Sequence, residues 1–302
     1  MKGTLLLIGG LGFVGKHVRA LAGPDLTCVV TDMDVDIRDA EAVASLIDAT
    51  RPDWVINLAA ITTLKESFDS QKSTYDINFM GVLNILSGLK ASGFKGRYLQ
   101  VGSSQVYGCP KAEALPITEE HPCEMLNPYS VSKAAAELLC CQWQRSEGLE
   151  TLMARPFNHI GPGQSDRFAV ARFAKEIVDI KRGLKEPLLR VGNLAPTRDF
   201  TDVRDVARAY LAILEHGTSG EIYNVCSGRE VAMSRIVEML AELAGVDVAV
   251  DIDPCLFREA DLLRVLGSHD KLTEKTGWRP TIPLEQSLLD ILADWERGVV
   301  GS

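Results

Sequence analysis

Tyr129 and Lys133 are the two residues whose spacing most directly suggests chemistry. They stand four positions apart in the segment NPYSVSKAAAELL. In a helix this spacing puts both side chains on one face, about 6 Å apart along the axis. A lysine ammonium beside a phenol stabilises the phenolate and lowers a pKa that is ordinarily about 10. Such a tyrosine can protonate a carbonyl oxygen while hydride reaches the carbon, so the pair predicts proton donation in a hydride transfer.

A second Tyr-x-x-x-Lys spacing, from Tyr107 to Lys111, shows that the spacing alone is weak evidence. Gly108 and Pro110 interrupt this stretch and predict a loop, in which the two side chains need not share a face. Tyr129 instead follows an asparagine–proline step, which is a helix-start signal, and leads into the run AAAELL. The sequence therefore favours Tyr129 as the reactive phenol.

Two adjacent serines, Ser103 and Ser104, come directly after the apolar run that ends at Val101, within VGSSQVYG. They could form a turn, or they could be hydroxyls available for chemistry. Ligands bind at the carboxyl ends of strands in open α/β sheets. The chain order of a nucleotide loop, then serines at a strand end, then the Tyr/Lys helix favours the chemical interpretation.

A glycine-rich stretch, GGLGFVG, lies between the first predicted strand and the first predicted helix. Gly9, Gly12 and Gly15 satisfy G-x-x-G-x-x-G. Glycines allow a tight turn, let a pyrophosphate approach the backbone and let helix and strand pack closely. The helix N-terminus then faces the phosphates. The stretch predicts dinucleotide binding.

Asp32 ends the second predicted strand, 23 positions after Gly9, where a ribose-binding acid is expected. A carboxylate there accepts hydrogen bonds from two ribose hydroxyls and repels a 2′-phosphate, which favours NAD over NADP. Asp36, two positions before Arg38, is a candidate for the adenine edge. The predicted cofactor is therefore NADH or NADPH, with a preference for NADH.

These residues need a scaffold, and the chain predicts one. Short apolar runs alternate with amphipathic helices, which indicates an α/β fold: a Rossmann-type doubly wound parallel sheet with a smaller C-terminal α/β substrate domain. Strands are predicted at 4–8, 27–31, 54–58, 97–101, 151–154 and 222–225, and helices at 13–22, 40–49, 75–91, 130–146 and 168–182. The predicted cofactor domain spans 1–155 plus 197–225, and the substrate domain 156–196 plus 226–302.

Composition limits the function classes. The chain has 302 residues, a net charge of -9 and a sequence pI of about 5.2. An acidic protein lacks the basic field that nonspecific nucleic-acid or anionic-membrane binding needs. Seven cysteines without a CxxC, and no apolar stretch of membrane-spanning length, fit a reduced cytoplasmic protein. Five dispersed histidines show no ligand spacing, so no metal is predicted.

Several motifs together resemble the extended short-chain dehydrogenases/reductases, over essentially the whole chain. They are GGLGFVG, NLAA, the asparagine of DINFMG, GSSQVYG, YSVSK and ARPFNHIGPG. Within the sugar-nucleotide branch the chain most resembles the GDP-6-deoxy-D-mannose reductases, through VGNLAPTRDFTDVRDV, YNVCSG and TGWRPTIPLEQSL. The resemblance implies a catalytic triad of Ser103, Tyr129 and Lys133. Its serine stands four positions before the tyrosine of the YG pair, which selects Ser103 over Ser104.

The full predicted cofactor site follows the same motifs. It comprises Gly9, Gly12, Phe13, Val14, Gly15, Asp32, Asp36, Ile37, Leu58, Ala59, Ala60, Asn78, Tyr129, Lys133 and Pro156.

The predicted substrate site combines the serine turn with later polar residues. It comprises Ser103, Ser104, Gln105, Asn158, Asn193, Arg198, Arg258 and Asp261. Guanidinium groups match phosphate oxygens in a bidentate fork, which makes the two arginines candidates for a diphosphate. Related enzymes bind the diphosphate and ribose through R-x-x-E/D, a spacing that Arg258 and Asp261 fit. A surface ion pair is the alternative for each arginine.

Gln105 separates the reaction types that this fold carries. The resembling 4,6-dehydratases have an acid two positions after the catalytic hydroxyl, and fucose synthases have a cysteine there. An amide cannot remove the C5 proton. The prediction is reduction of the C4 ketone of GDP-4-keto-6-deoxy-D-mannose to GDP-D-rhamnose.

Three alternatives remain open at this stage: a reductase that forms GDP-6-deoxy-D-talose, an NAD-dependent sugar-nucleotide 4-epimerase, and a nucleotide-bound scaffold without turnover. His159 invites a catalytic role, but a structural hydrogen bond is the better interpretation. The resemblance also implies a GDP-sugar as the partner and a homodimer formed through a four-helix bundle.

Overall fold

The computed structural model describes residues 1–257 and 263–298. The strands, numbered along the chain, are β1 (Gly3–Ile8), β2 (Leu26–Thr31), β3 (Trp54–Asn57), β4 (Arg97–Val101), β5 (Glu150–Pro156), β6 (Asn158–Ile160), β7 (Leu188–Val191), β8 (Thr197–Asp202), β9 (Ile222–Val225), β10 (Glu230–Ala232) and β11 (Ala249–Ile252). The helices are α1 (Phe13–Leu21), α2 (Ala40–Thr50), α3 (Leu64–Asp69), α4 (Gln71–Tyr75), α5 (Gly81–Ala91), α6 (Pro128–Glu147), α7 (Ala169–Lys181), α8 (Val203–His216), α9 (Met233–Ala244), α10 (Asp270–Thr276) and α11 (Leu284–Arg297).

The central sheet has six parallel strands in the order β2-β1-β3-β4-β5-β9. The chain adds β2 on one side of β1 and then crosses to add β3 on the other side. This reversal creates a switch point at the carboxyl edge between β1 and β3, where such sheets bind ligands. The predicted doubly wound parallel sheet is confirmed.

Strand β1 shows why these sequences form buried parallel strands. Its residues Leu5, Leu6 and Leu7 are fully buried. Leu5 and Leu7 pack with α1 and α8 on one face, while Leu6 packs with α2, α5 and α6 on the other. Because neighbouring side chains point to opposite faces, a strand covered on both faces reads as a continuous apolar run.

The predicted helix at 75–91 is interrupted in the structure. Residues Asp76–Met80 form a π-helical turn between α4 and α5. Apolar periodicity does not distinguish one wide turn from a continuous helix, so the sequence pattern could not place it. The strands at 97–101 and 222–225 have the predicted bounds.

A second layer contains the remaining strands. Strand β8 lies between β10 and β6, and β11 pairs with β7. Helices α7, α9 and α11 bury a common apolar core against them. Thus β8, at the start of the 197–225 segment, pairs outside the six-stranded sheet, whereas α8 and β9 pack within the first layer. The division into 1–155 plus 197–225 and 156–196 plus 226–302 stays a prediction.

Candidate active site

The glycine loop lies at the switch point. Gly9 has a φ of +73°, and a Cβ there would lie 2.6 Å from the backbone nitrogen of Ala59. A Cβ on Gly15 would lie 2.3 Å from the carbonyl oxygen of Gly10. These two positions require glycine for close packing. At Gly12, the N-cap of α1, the nearest atom to such a Cβ would be 3.4 Å away, so the first turn of α1 stays accessible to a phosphate.

The first turn of α1 contacts the later loop at 157–164. The Phe13 ring stacks on the His159 ring with a centroid separation of 6.0 Å, and Val14 packs into the core beside β1. His159 Nδ1 lies 3.1 Å from the carbonyl oxygen of Phe157. Burial lowers the pKa of His159, so the ring is neutral at neutral pH. The structural hydrogen bond expected for His159 is confirmed.

Asp32 supports the glycine loop from the end of β2. Its Oδ2 accepts a hydrogen bond of 3.1 Å from the backbone nitrogen of Leu11. Asp36 is exposed and its carboxylate is held by Arg38, at 2.9 Å from Nε and 2.6 Å from Nη2, which keeps the pKa of Asp36 low. The neighbouring Ile37 is buried. Asp32 thus lies beside the loop as predicted, and Asp36 is engaged with its own arginine.

The predicted cofactor residues after β3 line the other side of the switch point. The backbone nitrogen of Leu58 donates to Ile8 at 2.8 Å, and that of Ala59 donates to the side chain of Asn57 at 3.1 Å. Ala60 follows and is half-buried. Asn57 in turn donates to Gln100 at 3.1 Å. The Leu58–Ala60 loop is therefore held to both neighbouring strands.

Asn78 lies in the π-helical turn and is 1% exposed. Its Oδ1 accepts from the backbone nitrogen of Ile61 at 2.8 Å, and its Nδ2 donates to the Ile61 carbonyl at 3.0 Å and to Ser132 Oγ at 2.9 Å. Ser132 Oγ donates to the carbonyl of Tyr129 at 2.7 Å. The predicted contribution of Asn78 to the cofactor site therefore acts through Ile61 and the Tyr129 turn.

The serine, tyrosine and lysine of the predicted triad converge at the end of β4. Each is less than a tenth exposed. The Ser103 side chain lies close enough to Tyr129 to lower the pKa of the phenol by hydrogen bonding. Lys133 Nζ lies 5.9 Å from the Tyr129 ring centroid and donates to the Val101 carbonyl at 2.9 Å. Helix α6 positions the pair, because Asn127 caps it with a capping box and Pro128 occupies its first turn.

The electrostatics of this pair differ from the expectation. Burial raises the pKa of Tyr129, and the hydrogen bond from Ser103 opposes that rise only in part. Burial lowers the pKa of Lys133 to about 8, while the carboxylate of Glu137 acts in the opposite direction. The expected lowering of the Tyr129 pKa is wrong, because desolvation of the phenolate raises it. A phenol with a raised pKa keeps its proton at neutral pH and can donate it.

The serine turn consists of Ser103, which caps it, and the residues Ser104–Tyr107. Ser103 Oγ accepts a hydrogen bond of 3.2 Å from the backbone nitrogen of Gln105 and caps the short 3-10 turn Ser104–Tyr107. Ser104 and Gln105 are half-buried. This turn, SQVY, carries no acid or thiol beside Ser103.

Three of the predicted substrate residues, Asn158, Asn193 and Arg198, lie on or between the strands of the second layer. Asn158 is exposed at the start of β6, next to β8, which carries Arg198. Arg198 Nη1 donates to the Thr197 carbonyl at 2.8 Å, and Asn193 Oδ1 accepts from Ala195 at 3.0 Å. Pro156 ends β5, directly before this layer. The predicted Arg258 and Asp261 lie outside the described residues.

Sequence reasoning did not identify Glu137 and Arg155, which form a buried ion pair one turn below Lys133. The signal was the i, i+4 continuation of the Tyr129–Lys133 spacing to Glu137. Among residues 1–257 and 263–298, no cluster of His, Cys, Asp and Glu could hold a metal ion, and no helix is long and apolar enough to cross a membrane.

Comparison with known sequences relates this site to characterised families. The family model for GDP-mannose 4,6 dehydratase matches residues 14–291. GDP-6-deoxy-D-mannose reductase of Pseudomonas aeruginosa is 45% identical over 302 residues, which cover 99% of both chains. A GDP-mannose 4,6-dehydratase of Yersinia enterocolitica is 27% identical, over 85% of this chain and 77% of that protein.

Comparison with solved structures also finds similar sugar-nucleotide enzymes. The structure of RMD from Pseudomonas aeruginosa complexed with NADPH has a TM-score of 0.93 and 44% identity, and the match covers 98% of this chain and 100% of that chain. UDP-glucose 4-epimerase of Thermus thermophilus in complex with NAD has a TM-score of 0.88 and 27% identity, with the same coverage. With the glycine loop and the Ser103–Tyr129–Lys133 arrangement, these matches establish that the chain belongs to the GDP-mannose 4,6 dehydratase family and is an oxidoreductase of the extended short-chain dehydrogenase/reductase type.

Proposed function

We propose that this chain reduces the C4 ketone of GDP-4-keto-6-deoxy-D-mannose, with NADH or NADPH, to GDP-D-rhamnose (GDP-6-deoxy-D-mannose). The observation that carries the proposal is a buried Tyr129 phenol that keeps its proton, close to Ser103 and to a turn without acid or thiol. The relative of the same activity in Pseudomonas aeruginosa supports it.

The chain's own residues perform the proton half of the reaction. A reduced dinucleotide held at the glycine loop would supply the hydride that C4 receives and would leave in its oxidised form. Ser103 donates a hydrogen bond to the ketone oxygen and stabilises the charge that develops there. Tyr129 gives its proton to that oxygen, which completes the alcohol, and is reprotonated from solvent. The ammonium of Lys133 stabilises the transient phenolate and binds the nicotinamide ribose.

Gln105 supports reduction over dehydration, even though the matching family model carries a dehydratase name. Loss of water across C5–C6 requires a base that removes the C5 proton and an acid that protonates the leaving hydroxyl. The turn Ser104–Tyr107 offers an amide and a hydroxyl at these positions. Neither group is a base at neutral pH.

The preference between the two cofactors remains a proposal. Asp32 directly follows β2, one of its carboxylate oxygens already accepts a hydrogen bond from Leu11, and its charge opposes a 2′-phosphate. This favours NADH, whereas the Pseudomonas aeruginosa structure contains NADPH. The ratio of kcat/KM for the two cofactors decides the preference, and Asp32→Asn should shift that ratio toward NADPH.

The nucleotide part of the substrate is assigned to the second layer. Asn158, Asn193 and Arg198 lie on or between its strands and provide amide and guanidinium donors for a diphosphate and base. Arg258 and Asp261 complete this proposal from sequence alone. The guanine base rests on the family and on the substrate named for the Pseudomonas aeruginosa relative.

A homodimer through α5 and α6 is also proposed. Leu138 on α6 is 71% exposed, and Val131 on the same helix and Met80, directly before α5, are also exposed. Exposed apolar side chains on α6 and directly before α5 fit burial against a second copy. Sedimentation of the wild type and of Leu138→Asp tests it, with a monomeric variant expected.

The decisive experiment follows NADH and NADPH oxidation with freshly made GDP-4-keto-6-deoxymannose, with NMR of the product. Oxidation that yields GDP-D-rhamnose supports the proposal. A GDP-6-deoxy-D-talose product would assign the opposite stereochemistry at C4. An absence of oxidation with either cofactor would refute the reductase.

A further inference from the structure

A third polar residue continues the Tyr129–Lys133 row along α6. Glu137 follows Lys133 by one helical turn and lies on the same face. It is 3% exposed and pairs with Arg155, the penultimate residue of β5, which is 5% exposed. Arg155 donates from Nη2 to Oε2 at 2.7 Å and from Nε to Oε2 at 3.0 Å. The α6 face therefore carries phenol, ammonium and carboxylate in sequence, with a guanidinium behind the last.

The carboxylate also lies against the strand end that leads to Ser103. A Cβ on Gly102 would lie 2.2 Å from Glu137 Oε1 and 3.0 Å from the Ala154 carbonyl oxygen. The backbone nitrogen of Gly102 donates to that same carbonyl at 2.7 Å. Because Gly102 has no side chain, the Glu137 carboxylate can approach the backbone one residue before the catalytic hydroxyl.

The pair is a poor choice for stability alone. Replacing a buried ion pair by apolar residues of similar volume is often neutral or stabilising, because desolvation of both ions offsets their attraction. Within the described part of the chain, Arg155 Nη1 is buried and has no hydrogen-bond partner. Its guanidinium lies over the Tyr107 ring at 4.8 Å instead. The ion pair therefore leaves one buried donor without an acceptor. Because the pair lies next to Lys133, it points to a role in the candidate active site.

We propose that the Glu137–Arg155 pair positions Lys133 for the reaction, by holding a carboxylate one turn below its ammonium and fixing α6 to β5, beside the end of β4. Glu137 and Arg155 are positioning residues that act through Lys133, whose Nζ also donates to Val101 on β4. The inference rests on the proposed function of the Tyr129–Lys133 pair. It adds that the position of Lys133 beside Tyr129 depends on the charge of Glu137, which contacts neither substrate nor cofactor.

The test separates positioning from stability with the double variant Glu137→Gln/Arg155→Met. Gln has the shape of Glu without its charge, and Met keeps much of the volume of Arg without leaving an unpaired buried ion. We expect thermal stability close to that of the wild type, while kcat falls about tenfold and KM for the GDP-sugar is unchanged. A kcat within about twofold of the wild-type value, in a double variant that keeps wild-type thermal stability, would overturn the proposal.

A second arm asks whether the effect acts through Lys133. In a Lys133→Met background, the neutralised pair should change kcat by less than about twofold, since residues that act as a unit are not additive. A further tenfold loss in that background contradicts the proposal. If the double variant does not fold, Gly102→Ala replaces it: its Cβ displaces the carboxylate, and it should reduce kcat in the wild type but not in the Lys133→Met background.

The matched control is Asp205→Asn/Arg208→Met, which neutralises another pair with a buried carboxylate, on α8. It should lower stability and leave kcat unchanged. The dissociation constant for NADPH, measured by fluorescence without any sugar, should rise in the Glu137/Arg155 variant. That readout keeps the inference separate from the proposed function. A wild-type protein without reductase activity would refute the proposed function. Unchanged NADPH affinity and unchanged kcat in the Glu137/Arg155 variant would refute the positioning role.

Discussion

Tyr129 and Lys133 lie one turn apart in α6, whereas Tyr107 and Lys111 are separated by Gly108 and an exposed loop. Both pairs have the same spacing, and both tyrosines are buried. Tyr129 lies close to Ser103 at the end of β4, while the Tyr107 hydroxyl donates to Asn224 at 2.7 Å. The comparison teaches that the backbone, and not the spacing, decides which phenol can react.

The neighbours of the two phenols explain the difference further. The α6 helix keeps the lysine of the first pair at 5.9 Å from the ring, where its ammonium can act. At the second pair, Gly108 has a φ of +65° and ends the turn, and Lys111 is exposed. The cation nearest the Tyr107 ring is Arg155 instead. A phenol bonded to a buried amide and stacked on an arginine stabilises the fold and offers no proton at the switch point.

Tyr129→Phe should show the largest effect. Loss of the proton donor is expected to reduce kcat by about 10³-fold, because the ring is kept and only the hydroxyl that carries the transferred proton is removed. Cofactor affinity should be unchanged, as measured by fluorescence titration. Turnover near the wild-type rate would show that another group donates the proton.

Lys133→Met should have the next largest effect. Removing the ammonium leaves the phenolate without its nearest cation, and we expect kcat to fall about 10²-fold. The dissociation constant for NADPH should rise as well, since Lys133 is proposed to bind the ribose. Steady-state kinetics with both cofactors measures the two effects, and a loss confined to KM would contradict the role assigned to the charge.

The pH dependence of kcat/KM provides a smaller test of the same pair. Lys133 has a pKa of about 8, so it is charged below that pH and neutral above it. The pKa of Tyr129 is raised, so its proton remains in place across this range. We expect kcat/KM to be flat below about pH 8 and to fall about tenfold per unit above it. The fall should be absent in Lys133→Met and unchanged in Lys111→Met.

Much of this site could be predicted because its determinants are local. The asparagine–proline step before Tyr129, the glycine spacing from Gly9 and the apolar run to Val101 each act within a few residues. Other features depend on contacts between distant segments. Asn78 bonds to Ile61 and Ser132, and no local pattern specifies such partners. The strand partners of β8, which are β6 and β10, likewise come from other parts of the chain.

The pKa of Tyr129 could not be predicted for the same reason. The sequence places a lysine beside the phenol, and on that basis a lowered pKa was expected. Burial depends on every element packed over α6, and its effect on the phenolate is larger than that of hydrogen bonding by Ser103. Local spacing thus predicts Tyr129 as the reacting group, which stays a prediction, and it predicts the wrong sign for the pKa shift of that group.

Tyr107→Phe should change stability and leave the reaction unaffected. The variant keeps the ring over Arg155 but removes the hydroxyl that donates to the buried Asn224 Oδ1. Leaving a buried acceptor without its donor costs about 1–3 kcal/mol in the free energy of unfolding. Chemical denaturation measures that loss, and kcat should stay within about twofold of the wild type. A large drop in kcat without a loss of stability would mean that Tyr107 takes part in the reaction.

Lys111→Met should show the smallest effect. Lys111 is the N-cap of a short 3-10 turn without a side-chain hydrogen bond to that turn, and the residue is exposed. Surface positions of this kind rarely affect folding. We expect unchanged kcat, NADPH affinity and melting temperature, measured beside Lys133→Met under the same conditions. Matching losses in the two lysine variants would mean that the shared spacing carries function without a shared helix face, and would remove the distinction between the two pairs.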